Sequence, residues 1–459
     1  MKKRLSMPRR LDPTLVLAVL LPLLAAGAFV GLDPMAAQPR PVGPATTDLT
    51  SSSVVCPPSI GGHDTVGAAT AAGEGVSGTL SASPVGRARV RSVEVASGSV
   101  GWVHAGSKPL VITGAGAVAP GLVAGRSSTK PLTALDCPVA GTNLWFAAAG
   151  SGPSHDSVVR LVNPNDGPAV VDLSVLGTHG PVPADALAGM AVPGHSTQTV
   201  DLGTVIPQPG PLALHAVVQR GQLAVAVEDE RRPLVDNKVV GEWLASSAPP
   251  QRKTTVLGLP PHGEHTLVVA NSSHRQISAT LKLVTTRSTV SPSGAPTLDI
   301  PPNGVASVSL DHLLSSSAAK GAIGVEVDAG GPVVASIRTE VPGDLALSPA
   351  GLEVSDATAA VVPPGPKQLV LAGASGIGAV TVTSIGAQGK TLATKRVSLT
   401  SDAGAQLDLP DKTVLVQVAP ERATLLASIL VTTSTGDAVV PLRPLVRNGL
   451  VPAVRPALP

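Results

Sequence analysis

The chain has 459 residues, 43% of them hydrophobic but only 1% aromatic, with 48 Gly, 45 Pro, no Tyr and 14% charged residues. That length exceeds one small core and predicts roughly two to four domains; Val, Leu, Ala and Ile must build the cores, which favours strands, and Pro and Gly recur too often for long helices. The net charge is +2, but five of the 33 basic residues fall within the first ten positions, leaving 28 against 31 acidic residues, so the footprint of a nucleic-acid-binding protein is absent.

The first ten residues carry Lys2, Lys3, Arg4, Arg9 and Arg10 and no acid, and Thr14–Leu32, TLVLAVLLPLLAAGAFVGL, follows as 19 residues without a charge. As a helix this segment would be roughly 28 Å long, close to the hydrocarbon thickness of a bilayer. Residues 1–13 therefore read as a cytoplasmic basic tail and 14–32 as a transmembrane anchor, with the bulk of the chain outside. Pro22 is tolerated in such a span. The competing reading is a signal peptide cleaved near Ala26-Gly27-Ala28, which leaves a secreted protein. Either reading exports the rest. Residues 33–50, rich in Pro, Ser, Thr and Ala, read as a stalk.

Cys56 and Cys137 are the two cysteines of the chain. In an exported protein such a pair predicts a disulfide, here joining the two ends of a β-rich module over residues 51–140. Two lone cysteines without neighbouring ligands at zinc spacing argue against a metal site.

Beyond it the chain repeats itself. VVRLVNPNDGPAVVDLSVL (Val158–Leu176) superposes without a gap on TLVVANSSHRQISATLKLV (Thr266–Val284) at an offset of 108. Val159, Leu161 and Asn163 fall on Leu267, Val269 and Asn271, and alternation on both sides of a polar break predicts a hairpin with one buried face. VPGHSTQTVDL (Val192–Leu202) answers IPPNGVASVSL (Ile300–Leu310), and a more diverged copy begins at KQLVLAGASG (Lys367–Gly376). Units of this size suit tandem domains of about seven strands, an immunoglobulin-like sandwich by length and strand density. The expected architecture is all-β: an N-terminal transmembrane helix followed by modules at 51–140, 141–248, 249–345 and 346–445, with a tail at 446–459.

Several phrases carry residue types used in chemistry. HGEH (His262–His265) could offer metal ligands on a helix, but its setting between GLPP and a strand predicts a loop. SHDS (Ser154–Ser157) collects serine-triad residue types, yet sequence neighbours do not converge as nucleophile, base and orienter, and no G-x-S-x-G elbow surrounds them. EDERR (Glu228–Arg232) reads as a solvated strand end with local ion pairs. NPNDG reads as a turn, and Asn271-Ser272-Ser273 matches a glycosylation sequon. Trp145 with Phe146, and Trp243, bracket the first repeat; Trp145 and Trp243 are expected to seal it against its neighbours, and Trp102 to do the same for the N-terminal module. No catalytic, cofactor-binding or metal-ligating residue is assigned.

NLWFAAAG (Asn143–Gly150), VRLVNPND, EWL (Glu242–Leu244), LVVANSS and IPPNGVASVSL, with the apolar N-terminus and the cysteine pair, carry a family resemblance. The chain resembles the secreted or membrane-anchored proteins of high-GC Gram-positive, actinobacterial origin classed as domain of unknown function 5719. The resemblance runs from about Cys56 into the third repeat and implies location and architecture, with no catalytic residues to transfer. Asn-Pro in the first repeat becomes Asn271-Ser272 in the second, which weakens any role for that Pro. The expected function is non-catalytic: a plasma-membrane or secreted scaffold or interaction subunit of the cell envelope, with a protein partner, no nucleic acid and no cofactor. An envelope-glycan receptor and a cell-wall hydrolase or transferase are the alternatives.

Overall fold

The computed structural model describes residues 13–31, 45–60, 64–73, 75–86, 89–104, 106–232 and 239–451. Residues 1–12 of the expected tail, 32–44 across the end of the expected anchor and most of the stalk, and 452–459 of the C-terminal segment lie outside them. Two compact units are present; of the described residues, 13–31, 45–47 and 449–451 belong to the first and those within 48–448 to the second. The first holds the 19-residue helix Pro13–Gly31, which contains Pro22, and the ribbon of Ala45–Asp48 with Asn448–Val451. The side chains described in that helix are Thr14 and 16–24, and among the described residues no helix is long and apolar enough to cross a membrane.

The second unit is all-β, in four consecutive groups of antiparallel strands. The first group is two four-stranded sheets, one containing Ser51–Cys56 and Leu110–Ala115, the other containing Thr65–Thr70, Leu122–Thr129 and Leu132–Asp136. Val54, Leu80, Ile112 and Ala124 fill the space between them, and Cys56 is bonded to Cys137 within the same core. The predicted bridge is present.

The second and third groups are continuous sheets of nine and eight strands. They exceed the seven short strands expected, and each is one sheet and not two because single elements serve two layers. In the third group the 20-residue strand Ala322–Val341 pairs along its length with Gln251–Leu257, Glu264–Asn271, Ile277–Thr285 and Asp344–Pro349. In the second, the hairpin of Asn143–Gly152 with His155–Asn163 joins one layer to the other. The fourth group again has two separate four-stranded sheets, containing Thr358–Val361 and Gly378–Gly386, and Lys367–Ala372 and Gly436–Pro441.

The repeated phrase is not a hairpin. His155–Asn163 pairs with Ser196–Asp201 and Ala224–Arg231, whereas Ala169–Gly177 pairs with Gln208–Arg220, so the two strands lie in opposite layers. Glu264–Asn271 and Ile277–Thr285 likewise do not pair with each other, nor do Lys367–Ala372 and Gly378–Gly386. Each phrase is an arch that carries the chain over its own core. Val159, Leu161, Val171 and Leu173 meet inside one core, as Leu267, Val269, Leu281 and Leu283 do in the next. Alternation reports which face is buried and is blind to whether the two strands share hydrogen bonds.

A buried asparagine builds each of the first two arches. Asn163 is 0% exposed; its Nδ2 donates to Gly167 O at 2.9 Å and Val192 O at 3.0 Å, while Oδ1 accepts from Asn165 N at 3.0 Å. Asn271, also 0% exposed, repeats this with Arg275 O, Pro301 O and Ser273 N at 2.7, 3.0 and 2.8 Å. One amide thus satisfies three backbone groups that the turn would otherwise leave unpaired in the interior. The third arch turns instead at Gly373, whose φ is 72°.

The four groups close on themselves. Leu132–Asp136, Val240–Leu244, Asp344–Pro349 and Gly436–Pro441 are each the last strand at one edge of a sheet, and each lies beside the next, with the fourth returning to the first. Apolar contacts seal every junction: Val55, Val111 and Val162; Trp145, Val268 and Val334; Leu257, Val370 and Leu426; Val123, Val361 and Val414. The last junction is close enough to need glycine, since a Cβ on Gly125 would lie 2.5 Å from Val361 O.

Candidate functional site

The catalytic types singled out in the sequence do meet, but in an inert arrangement. Asp229, fully buried, takes His155 Nε2 at 2.8 Å and Ser157 Oγ at 2.5 Å on the same oxygen, Oδ1. A nucleophilic serine must donate to the base; here Ser157 donates to the carboxylate and accepts from Gly150 N at 2.9 Å. Ser157 is also 0% exposed. Arg338 of the third group reaches the other oxygen of Asp229 at 3.2 Å, and Glu340 pairs with both Arg338 and Arg231. Burial alone would raise the Asp229 carboxyl, but His155, Arg338 and Ser157 together hold it below its ordinary value. Within the stretch expected to be a solvated strand end, Asp229 is therefore part of a buried ionic clasp between the second and third groups, while the exposed end keeps the local ion pair of Arg232 with Glu230 at 2.7 Å.

HGEH does not converge on one point. His262 and Glu264 are exposed, whereas His265 is buried with Nε2 at 3.0 Å from Pro260 O. Among the described residues no group of three His, Cys, Asp or Glu is arranged to hold a metal ion. Asn271 has its amide enclosed and committed, so the sequon is closed in the folded chain. Trp145 stacks on His215 with ring centroids 3.8 Å apart, and Trp243 packs with Leu135, Ala226 and Ala245 between the first and second groups. Trp102 is 41% exposed.

The feature that sequence reading missed lies where the four edge strands meet. Glu242, Asp344 and Asp437 stand near the start of three of them, in EWLASS, DLALSP and DAVVPL, and Thr133 of TALDCP is their counterpart in the fourth. All four residues are buried. Asp344 Oδ2 accepts from Asp437 N at 2.7 Å, and Glu242 Oε1 accepts from Trp243 N at 2.7 Å. Glu242 Oε2, Asp437 Oδ1 and Thr133 Oγ1 have no hydrogen-bond partner among the described residues. Burial, reinforced by Asp344 and Asp64 nearby, pushes Glu242 well above the usual carboxyl range. Burial also raises Asp344 to about 6, against the opposing amides of Asp437 and Leu345, and raises Asp437. Beside them Asp64 and Arg126 form a buried ion pair at 3.1 Å. The strand-initial acids were visible as letters; only ring closure shows that they face a common junction.

A cleft of about 830 Å³ opens over this junction, and all four groups contribute to its walls: Lys130 from the first, Glu228 and Glu230 from the second, Asp344 from the third, Asp437 from the fourth. A second groove, of about 640 Å³, lies between the third and fourth groups. Its wall carries Gln406, which donates to Gln368 at 2.5 Å, and Gln368, which donates to Asp408 at 2.8 Å. Lys367 at its edge is 3% exposed; burial lowers it to about 8, and its Nζ donates to the carbonyls of Gly365 and Asp411.

No curated protein matches the chain. A solved structure described as "Biofilm associated protein - BSP domain" is 10% identical, covers 92% of this chain and 100% of its own, and has a TM-score of 0.14, which carries no argument about fold or function. Residues 101–410, more than half of the chain, match the family described as "Family of unknown function (DUF5719)", and the protein belongs to that family.

Proposed function

We propose that this protein is a non-catalytic scaffold or interaction subunit of the cell envelope, of actinobacterial type, held outside the plasma membrane by its N-terminal segment or released there by cleavage. The observation that carries the reading is the closed ring of β groups with one cleft walled by all four. Four modules fixed against one another present a preorganised surface, which lowers the ordering cost of binding a partner. Their sandwich-like layering is what suggests an immunoglobulin-like relationship. For the membrane, the support is the charge-free stretch Thr14–Leu32 behind a basic N-terminus, with Leu17, Leu21, Leu23 and Leu24 60–68% exposed. Apolar side chains left bare in this way suit burial in lipid.

The glycan-receptor reading is favoured by the groove beside Gln368, Gln406 and Asp408, whose linked amides and carboxylate suit hydroxyl-rich ligands. A hydrolase or transferase lacks support at Ser157, whose hydroxyl is enclosed. Affinity purification of the full-length chain from cells after mild crosslinking separates these readings. A reproducible protein partner is expected. Recovery of glycan without protein would favour the receptor, and hydrolysis lost on changing one acidic residue would overturn both.

A further inference from the structure

We propose that the cleft over the four-strand junction binds the guanidinium group of an arginine presented by a protein partner, an assignment that rests on the interaction reading above. The charge ledger of the cleft is incomplete in one place. Glu228 is matched by Arg160 at 2.8 Å and Glu230 by Arg232 at 2.7 Å. Among the described residues no basic side chain forms a close ion pair with Asp344, Asp437 or Glu242; His262 on the cleft wall and His265 act on Asp437 only from farther away. Asp344 and Asp437 are 6% and 8% exposed, adjacent through the hydrogen bond from Asp437 N to Asp344 Oδ2, and among the described residues Asp437 Oδ1 has no hydrogen-bond partner. Buried carboxylates are ordinarily matched by a cation, and an unmatched pair lining a cleft is where one fits.

The geometry points to an organic cation. A metal ion needs several ligands converging on one point, and the described residues hold no such group. A planar guanidinium spreads one charge over five donors and can bridge two carboxylates. The cleft, at about 830 Å³, is far larger than that group and has room for flanking peptide. Val239, Val240 and Pro342 offer apolar contact to an aliphatic stem, while Thr433, Ser434 and Thr435 offer hydroxyls to a peptide backbone. Lys130, also on the wall, opposes a cation and gives the site a test of opposite sign.

The probe is a fluorophore-labelled acetyl-Gly-Ala-Arg-Ala-Gly amide, titrated by polarisation against the full-length chain in mild detergent at neutral pH. Saturable binding is expected, weaker by about tenfold or more in D344N/D437N and with citrulline in place of arginine, and tighter by about twofold in K130Q. The first variant is nearly isosteric, and K130Q lies outside the buried junction, so the two do not share a route to misfolding. Absence of saturable binding, or binding unchanged by both the citrulline peptide and the double substitution, overturns the site. A cellular partner captured equally by wild type and D344N/D437N removes the site and leaves the interaction reading standing. Peptide binding with no cellular partner keeps the site and removes the scaffold.

Discussion

Replacing Arg338 by Met should expose how much the buried clasp contributes to holding the second and third β groups together. Arg338 Nε lies 3.2 Å from Asp229 Oδ2, and the two side chains are 6% and 0% exposed. At that separation and an effective dielectric of about 20, their attraction is roughly 5 kcal/mol. Met fills most of the volume but leaves Asp229 with His155 and Ser157 as its remaining partners. Because those contacts persist, R338M is expected at the lower end of the range for breaking a buried pair, about 3 kcal/mol. D229L should cost a similar amount, and D229L/R338M less than the sum of the two, since neither charge is then stranded. The assay is urea unfolding of the full-length chain at neutral pH, followed by tryptophan fluorescence, with Trp145 and Trp243 both in the second group. A loss below about 1 kcal/mol in R338M, or strict additivity in the double variant, would refute the clasp as a coupling element.

Reducing Cys56–Cys137 frees a loop spanning 81 residues, for which chain entropy gives about 4–5 kcal/mol; C56S/C137S should show a much lower thermal midpoint, and an unchanged one would mean that the unfolded chain is not the state being constrained. Asp344 is raised to about 6 in the fold, so its contribution is fully present below the unfolded value of about 3.9 and is lost as pH rises through 6. D344N removes that dependence: relative to wild type it should gain up to about 3 kcal/mol between pH ~4 and ~7 in denaturant titrations, and a flat difference would disprove it. G125A places a methyl group 2.5 Å from Val361 O, so a loss of about 1–3 kcal/mol is expected, with faster amide exchange at Thr358–Val361; unaltered exchange there would show that the first and fourth groups do not depend on this contact.

Part of this structure could be read in the letters because it is written locally. The alternation at Val159, Leu161, Leu267 and Val269 marks an inward face, and all four residues are 0% exposed. The cysteine pair followed from its count together with the expected export. Pairing partners were not legible: period two is common to hairpins and arches, and only distant strands decide between them. Asn163 and Asn271 looked like surface turn residues because Asn favours turns; that each amide is enclosed and serves three backbone groups depends on strands some thirty residues on. Glu242, Asp344 and Asp437 lie in separate repeats, and nothing in their local sequence shows that the edges carrying them share one junction. Asp229 was misjudged for the same reason, since its buried setting comes from Arg338, 109 residues away.

Ring closure also sets a timetable for the newly made chain. The edge strand Leu132–Asp136, though already paired with Leu122–Thr129, gains its neighbours in the ring only when Val240–Leu244 and then Gly436–Pro441 are made. At 5–20 residues per second the interval from the first of these strands to the last is about 15–60 s. Until the fourth group is made, Ala69 and Val123 of the first lack the cover that Ala359, Val361 and Leu415 supply. A chain stopped before the last strand would therefore leave two sticky margins, one at each end of an open arc, and would be the form on which proteases and chaperones act.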